Sequence, residues 1–386
     1  MHDRRGLWLL ILIPLLFVVA IWFDLIPLLR GPDEWRWTLR LLQVPLIRVS
    51  IPVIVLAVYA LLCARWLTAF NRTGQSTRPS LRTERGFLIF LTFAAPLIQL
   101  ALAAAVWRSP VFEFFSATVS PSVTGFHSVA VTTPDLDQQL AHYATFMTTL
   151  PIHPQTHPPG LVLIQWIAWR FFQTVPALSE MIATPLRTLQ CHNVSLMALD
   201  NAQLASATAG MLVPLVGGLT VWPMYAFGRR VIGPRGAALA VMVFPVMPMF
   251  AMWPSQWDQV FPLFLCAALY FLHGGLESRS VWRIVVAGIV LSCATFLSIG
   301  NMVMIAVAAL YGVVWWIAHA PVRQLLNRQS IATWARQVLA LALGCSSIWL
   351  LYALLYRVSW SDFIAVASRL LSESTRCPVC PSTTRS

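Results

Sequence analysis

Apolar stretches of about twenty residues recur along almost the whole chain, each long enough to cross the hydrocarbon core of a bilayer as a helix. They fall at 7–29, 49–69, 86–107, 160–178, 202–227, 236–253, 259–276, 284–300, 302–319 and 334–356. The pattern predicts an all-α fold, a polytopic transmembrane helical bundle of about ten hydrophobic segments. The first segment follows Met1-His-Asp-Arg-Arg and is too long and apolar for a signal-peptide core. Nothing resembling a cleavage site follows it, so it reads as a retained anchor.

Composition sharpens this picture. Of 386 residues, 58% are hydrophobic and 10% charged, against about 25% charged in a soluble domain. A deficit that large excludes a soluble globular enzyme, because it puts most of the chain where charge is expensive. All 26 basic residues are arginine and the net charge is +12. Absence of lysine rules out Schiff-base chemistry. The arginines cluster in short loops between spans, where the positive-inside rule places them, so the charge points to membrane lipids and not to nucleic acid. Most of the seven cysteines lie in apolar segments and read as small buried hydrophobes. The lone pair Cys377-Pro-Val-Cys380 is a weak metal signal without a second pair.

Charge bookkeeping also gives a topology. Loop 65–85 carries Arg65, Arg72, Arg78, Arg82 and Arg85 and is the clearest cytoplasmic loop, which makes 108–159 external. Strict alternation from there would put Arg229, Arg230, Arg235, Arg279, Arg283, Arg323, Arg328 and Arg336 outside. One change of parity between 108 and 201 repairs them all. The expected cause is that 160–178, hemmed by Pro158-Pro159 and Pro176, does not cross fully, or that part of 179–201 dips into the membrane. Loop Trp253-Pro-Ser-Gln-Trp-Asp258 then lies on the same side as 108–159. The external loop 30–48, with Arg30, Arg36, Arg40 and Arg48, reads as an interfacial amphipathic helix whose arginines snorkel.

Candidate chemistry gathers in these two converging loops. A connector of ~50 residues between spans suggests function. It holds Asp135 and Asp137, an Asp-x-Asp pair able to bind a divalent cation or to supply a general base. It also holds His153 and His157, the latter entering His157-Pro158-Pro159-Gly160. The prolines fix an extended approach to the next span, and Gly160 allows close backbone contact. Rigid punctuation of the helix start is the plainer reading of that element. The two histidines sit four apart, but the prolines argue against a helical metal site, and contact with phosphate or hydroxyl suits either better. Asp258, at the boundary between two apolar segments, is a functional acid, a helix N-cap, or both. Asp33-Glu34 forms another acidic pair, flanked by Trp35 and Trp37, which fit an interfacial aromatic belt.

Two stretches resemble the GT-C superfamily of membrane glycosyltransferases, in the branch of protein O-mannosyltransferases and the lipid A aminoarabinose transferase. One is Thr156-His157-Pro158-Pro159-Gly160-Leu161 opening a span, similar to that family's His-Pro-Pro-Leu element. The other is the order Gly228-Arg229-Arg230, an apolar helix, Phe244-Pro-Val-Met-Pro248, Trp253-Pro-Ser and Asp258. The likeness covers roughly 110–275. It implies transfer of a hexosyl or pentosyl group from a polyprenyl-phosphate-linked donor to an external acceptor hydroxyl, with a loop carboxylate as base, in the plasma membrane of a bacterium. It also implies Asp258 as a second acidic site and His157 as a contact to donor phosphate. The family's early loop acid has no counterpart in Thr124-Gly-Phe-His127-Ser-Val-Ala, which leaves Asp135, Asp137 and Asp33 as candidate bases. His153, Gln256 and Arg108 complete the expected substrate contacts, guanidinium suiting phosphate oxygens.

The expected organisation is 1–107, N-terminal helices with the basic loop; 108–276, a GT-C-like core with external loop 108–159; 277–358, C-terminal helices; and 359–386, a polar tail that reads as a compact variant or a truncation. The rivals are a transporter and a catalytically degenerate GT-C-fold scaffold. A transporter would show repeats and mid-span charges, and this chain shows neither clearly. Asp258, His157 and a further carboxylate around one cavity would favour the enzyme, whereas dispersed acids would favour a scaffold.

Overall fold

The computed structural model describes residues 16, 19–21, 23–30, 45–72, 81–106, 109–191, 194–253, 255–319 and 327–358. Asp33, Glu34, Arg108 and the tail 359–386 lie outside the described residues. The chain divides into a unit up to Val49 and a unit from Ser50 onward. In the first, a 3-10 turn spans Pro27–Arg30. Everything below concerns the second, in which every described regular element is helical.

Helix α1 is Leu46–Arg72 and α2 is Leu81–Val106. Among the described residues six helices are long and apolar enough to cross a membrane: Ile47–Thr68, Arg82–Val106, Asn201–Val231, Trp257–Ser278, Ile299–His319 and Arg328–Tyr356. Two expected spans, 236–253 and 284–300, become shorter apolar helices, Gly233–Val246 and Val281–Leu297. The reason for the first is visible in the sequence. Pro245 and Pro248 leave a 3-10 turn and a four-residue helix where a continuous helix was expected, because proline removes a donor and clashes with the preceding turn. The chain is a helical, multi-pass membrane protein.

The long connector folds into short helices, among them α3 (Pro110–Val119), α4 (Phe126–Thr132), α5 (Leu136–Ala141) and α6 (Ile152–Gln155). Two helices follow, α7 (Gly160–Thr174) and α8 (Pro176–Gln190), bent against each other by 113°. The break is where Val175 precedes Pro176, a position that proline drives out of helical geometry. The long crossing 201–231 has three parts, α9 (Asn201–Met211), α10 (Val213–Gly218) and α11 (Val221–Val231). Asp200 opens it with a reciprocal capping box to Gln203. Then come α12 (Gly233–Val243), α13 (Phe261–Ser278), α14 (Val281–Leu297), α15 (Met302–His319) and α16 (Arg328–Tyr356).

Helix α2 acts as a ruler for the ends of the bundle. At its start, just after the basic loop, Glu84 accepts from Tyr225 at 3.0 Å and pairs with Arg229 at 3.2 Å. Near its other end, Gln99 donates to the Phe250 carbonyl at 2.9 Å. These positions are about 22 Å apart along a helix rising 1.5 Å per residue. The Arg229 turn therefore sits at the basic end, and the turn around Phe250 near the opposite end. At that opposite end α9 begins against the connector, with Gln203 Nε2 donating to the Val131 carbonyl at 3.1 Å.

Both ends of the 109–200 segment thus meet the same face of the bundle. The bent pair α7–α8 connects those two ends, and we propose that it goes in and returns, the parity change that the arginines predict. Single-thiol labelling in intact cells is expected to report Leu150→Cys and the native, exposed Cys191 on one side, and Ile232→Cys on the other. All three on one side would contradict this topology.

Candidate functional site

The element His157-Pro158-Pro159-Gly160 is anchored from three directions. Gly160 begins α7 so close to the last turn of α14 that an added Cβ would lie 2.4 Å from the Phe296 carbonyl oxygen. Ahead of it, the His157 ring packs edge-on against Phe126 with centroids 5.3 Å apart. Gly125, the left-handed residue before α4 with φ 71°, rests on the Pro154 ring, where a Cβ would come within 3.0 Å. His157 Nδ1 donates to the His153 carbonyl at 2.7 Å, since a carbonyl can only accept. That bond closes the turn of α6 and fixes where the His153 ring projects.

Across from this turn lies the segment joining α12 to α13. Ser255 there adopts a left-handed φ of 56° and buries a hydroxyl that has no hydrogen-bond partner among the described residues. A left-handed non-glycine residue costs about 1–2 kcal/mol, and such geometry persists where surrounding structure imposes it. The turn presents Gln256 and Asp258 to a cavity of about 450 Å³ that also receives His153. Gln259 apart, the remaining wall is apolar, from Phe244, Met247, Phe250 and Trp253 among others. Three residues expected from two distant loops therefore share one cavity.

Asp258 is exposed and lies in a 3-10 turn, Trp257–Val260, ahead of α13. It caps neither this turn nor the helix, whose cap residue is Val260. Among the described residues its carboxylate accepts no hydrogen bond and forms no ion pair. Burial pushes the His157 pKa below the ordinary histidine value, while the His153 carbonyl and the Asp258 charge hold it up. His157 is thus near enough to sense Asp258, although it stands behind His153 and does not itself line the cavity.

The other acids are elsewhere. Asp135 and Asp137 are exposed at the start of α5, and neither lines the cavity. No second described carboxylate does so. Among the described residues no group of three or more His, Cys, Asp or Glu is placed to hold a metal ion.

Gln259 is the residue that sequence reasoning missed. It lines the cavity, is buried, and donates to the carbonyls of Phe250 and Trp253. With Gln99 on the same Phe250 carbonyl, it pins the α12–α13 turn to α2. A glutamine following Asp258 in an apolar segment was the available signal.

His127 occupies the stretch where the resembling family carries an acid. It is fully buried, with Nε2 at 3.0 Å from Ser206 Oγ and 3.1 Å from the Gln203 carbonyl, joining α4 to α9. Burial pushes its pKa down to about 4. An unfolded chain takes up this proton near the ordinary histidine value of about 6.5, the folded one only near 4. The stability that neutral His127 contributes is complete above pH ~6.5 and lost as pH falls through the folded pKa, an effect of about 3 kcal/mol. Purified protein is expected to lose more thermal stability between pH 6.5 and 4 than His127→Gln does. Parallel losses would refute the assignment.

The fold and this cavity define a multi-pass membrane protein with an acid, an imidazole and two amides facing an apolar-walled chamber at one end of the bundle. Residues 204–352 match the family model described as dolichyl-phosphate-mannose-protein mannosyltransferase. The match supports a membrane glycosyltransferase of the GT-C type. It takes in Gly228-Arg229-Arg230, Gln256, Asp258 and Gln259, and leaves out the His157 element. Comparison with curated proteins and with solved structures gives no match.

Proposed function

We infer that the chain transfers a sugar from a polyprenyl-phosphate-linked donor to an acceptor hydroxyl in the cavity shared by His153, Gln256 and Asp258. The single observation that carries this reading is that convergence, with Asp258 the one described carboxylate at the chamber and free of any competing hydrogen bond. Asp258 takes the acceptor's proton as the acceptor oxygen bonds to the anomeric carbon. The bond from that carbon to the phosphate oxygen breaks, and polyprenyl phosphate departs. A carboxylate within hydrogen-bond reach of the hydroxyl is what such displacement asks of a base.

His153 and Gln256 supply hydrogen bonds to sugar or phosphate oxygens. His157 is a positioning residue that holds His153 through its carbonyl. Met247, Met249 and Trp253, all well exposed at the mouth, meet the isoprenoid chain. Asp33 as base and Arg108 as a phosphate contact belong to the proposal only by sequence. Asp135 and Asp137, remote from the chamber, have no part in it. A bacterial plasma membrane is the proposed setting, with the chamber on the external face.

The test is transfer of radiolabelled sugar from synthetic polyprenyl-phosphate sugars to endogenous acceptors in membranes containing the chain. Label appearing in acceptor only when the chain is present supports the reading. Label retained on the lipid with every sugar tried, while the chain is folded, would favour a transporter or scaffold.

A further inference from the structure

At the opposite end of the bundle, remote from this chamber, α13, α15 and α16 leave a second opening that the proposed transfer does not use. It is a polar cavity of about 390 Å³ receiving Arg279, His319, Asn327, Gln329 and Ser330, with no acidic side chain among its lining residues. Three tryptophans, Trp315, Trp316 and Trp334, frame it. His319 stacks on Trp315 at 4.4 Å and donates from Nδ1 to the Trp315 carbonyl at 2.8 Å, and Trp316 meets Trp334 at 5.7 Å. Helix α16 starts here, with Asn327 capping its Gln329 amide.

The polar cavity does not end blindly. Leu276, Trp334 and Gln337 belong both to it and to an adjoining apolar groove of about 260 Å³, which continues past Leu272, Ala308 and Gly312 to Leu341. Gly312 faces open space, for an added Cβ there would meet nothing within 4 Å. Cationic and amide donors sit above, tryptophans at the boundary, and a dry furrow runs below along the helices. This sequence of chemistries has the shape of one amphiphile standing in a membrane.

We propose that this slot binds one anionic phospholipid, its phosphate and headgroup among Arg279, His319 and Gln329 and one acyl chain in the groove past Gly312. The arginine-rich end of the bundle faces the leaflet where anionic headgroups are attracted by basic residues, and tryptophan rings favour that depth. Arg279 is a suitable anchor. It ends α13 in a left-handed turn with φ 54°, and its guanidinium forms no ion pair among the described residues. Phosphate of any origin would satisfy the upper cavity, whereas only a lipid uses the furrow too.

Native mass spectrometry of the full chain, delipidated and then titrated with dioleoyl-phosphatidylglycerol or dioleoyl-phosphatidylcholine, tests this. The wild type is expected to retain one phosphatidylglycerol at least about tenfold more tightly than phosphatidylcholine. Arg279→Gln with His319→Gln is expected to erase that preference, and 10 mM inorganic phosphate to leave it intact. Gly312→Leu, which fills open space, is expected to weaken retention of both lipids while keeping the preference. Equal retention of the two lipids by the wild type would overturn the proposal. So would an unchanged preference in the double variant, unchanged retention in Gly312→Leu, or displacement by phosphate alone.

Discussion

Asp258→Asn is expected to lower sugar transfer by at least about 100-fold, the lower end of what a positioned general base contributes. The amide keeps the shape of the side chain and removes its ability to take the acceptor's proton. Little else should change, since Asp258 is exposed and caps no helix, and surface substitutions of this kind shift stability by about 0.5 kcal/mol or less. Donor binding should persist, because the same amide can still hydrogen-bond a sugar. Asp135→Asn and Asp137→Asn serve as controls, both exposed and away from the chamber, and should stay within about twofold of wild type. Activity retained in Asp258→Asn would remove this residue from the mechanism, and activity lost in Asp135→Asn or Asp137→Asn would point to the connector instead.

The second large effect is expected at Gly160. Alanine there would set its methyl 2.4 Å from the Phe296 carbonyl oxygen and 2.9 Å from its carbon. Backbone cannot yield as a flexible side chain does, so α7 must shift away from the last turn of α14. Overpacking of this sort costs about 1–3 kcal/mol or more. The shift would carry Pro159, Pro158 and His157 with it and loosen His153 at the chamber, so transfer should fall at least about tenfold along with the melting temperature. Gly312→Ala is the informative comparison. It meets open space and exchanges a helix-weakening residue for the best helix former, a gain of up to about 1 kcal/mol. A Gly160→Ala protein as stable and active as the Gly312→Ala protein would show that the close approach does not matter.

These expectations show where the sequence was readable. The apolar runs located the six long crossings, because burial in lipid leaves an unambiguous compositional mark. Arginine placement predicted a change of parity between 108 and 201, and Pro176 marks the bend at Val175 that falls within that stretch. Gly160 was legible as a close-approach residue, whereas the sequence paired Asp258 with His157 and a further carboxylate around one cavity, and it is His153 and Gln256 that line the chamber with Asp258.

What was not legible depends on three-dimensional packing. Hydropathy does not reveal that 236–253 breaks around Pro245 and Pro248, since prolines occur in continuous crossings as well. Nothing in Thr124-Gly-Phe-His127 says that His127 is buried against Ser206 about 80 positions later. Nothing in the sequence marks Gln259 as the amide that pins the turn at the carbonyls of Phe250 and Trp253. The Asp135-x-Asp137 pair, attractive as chemistry, is exposed at the start of α5 and does not line the chamber.

The central claim is that one chamber, built by His153 on one side and the 253–259 turn on the other, receives the lipid-linked donor. Photo-crosslinking tests it most directly, using a polyprenyl-phosphate sugar that carries a photoreactive group beside the phosphate, followed by peptide mapping. The account predicts adducts within 152–157 and 244–262, competed by unlabelled donor. Adducts confined to other segments, such as the slot lined by Arg279 and Trp334, would contradict it.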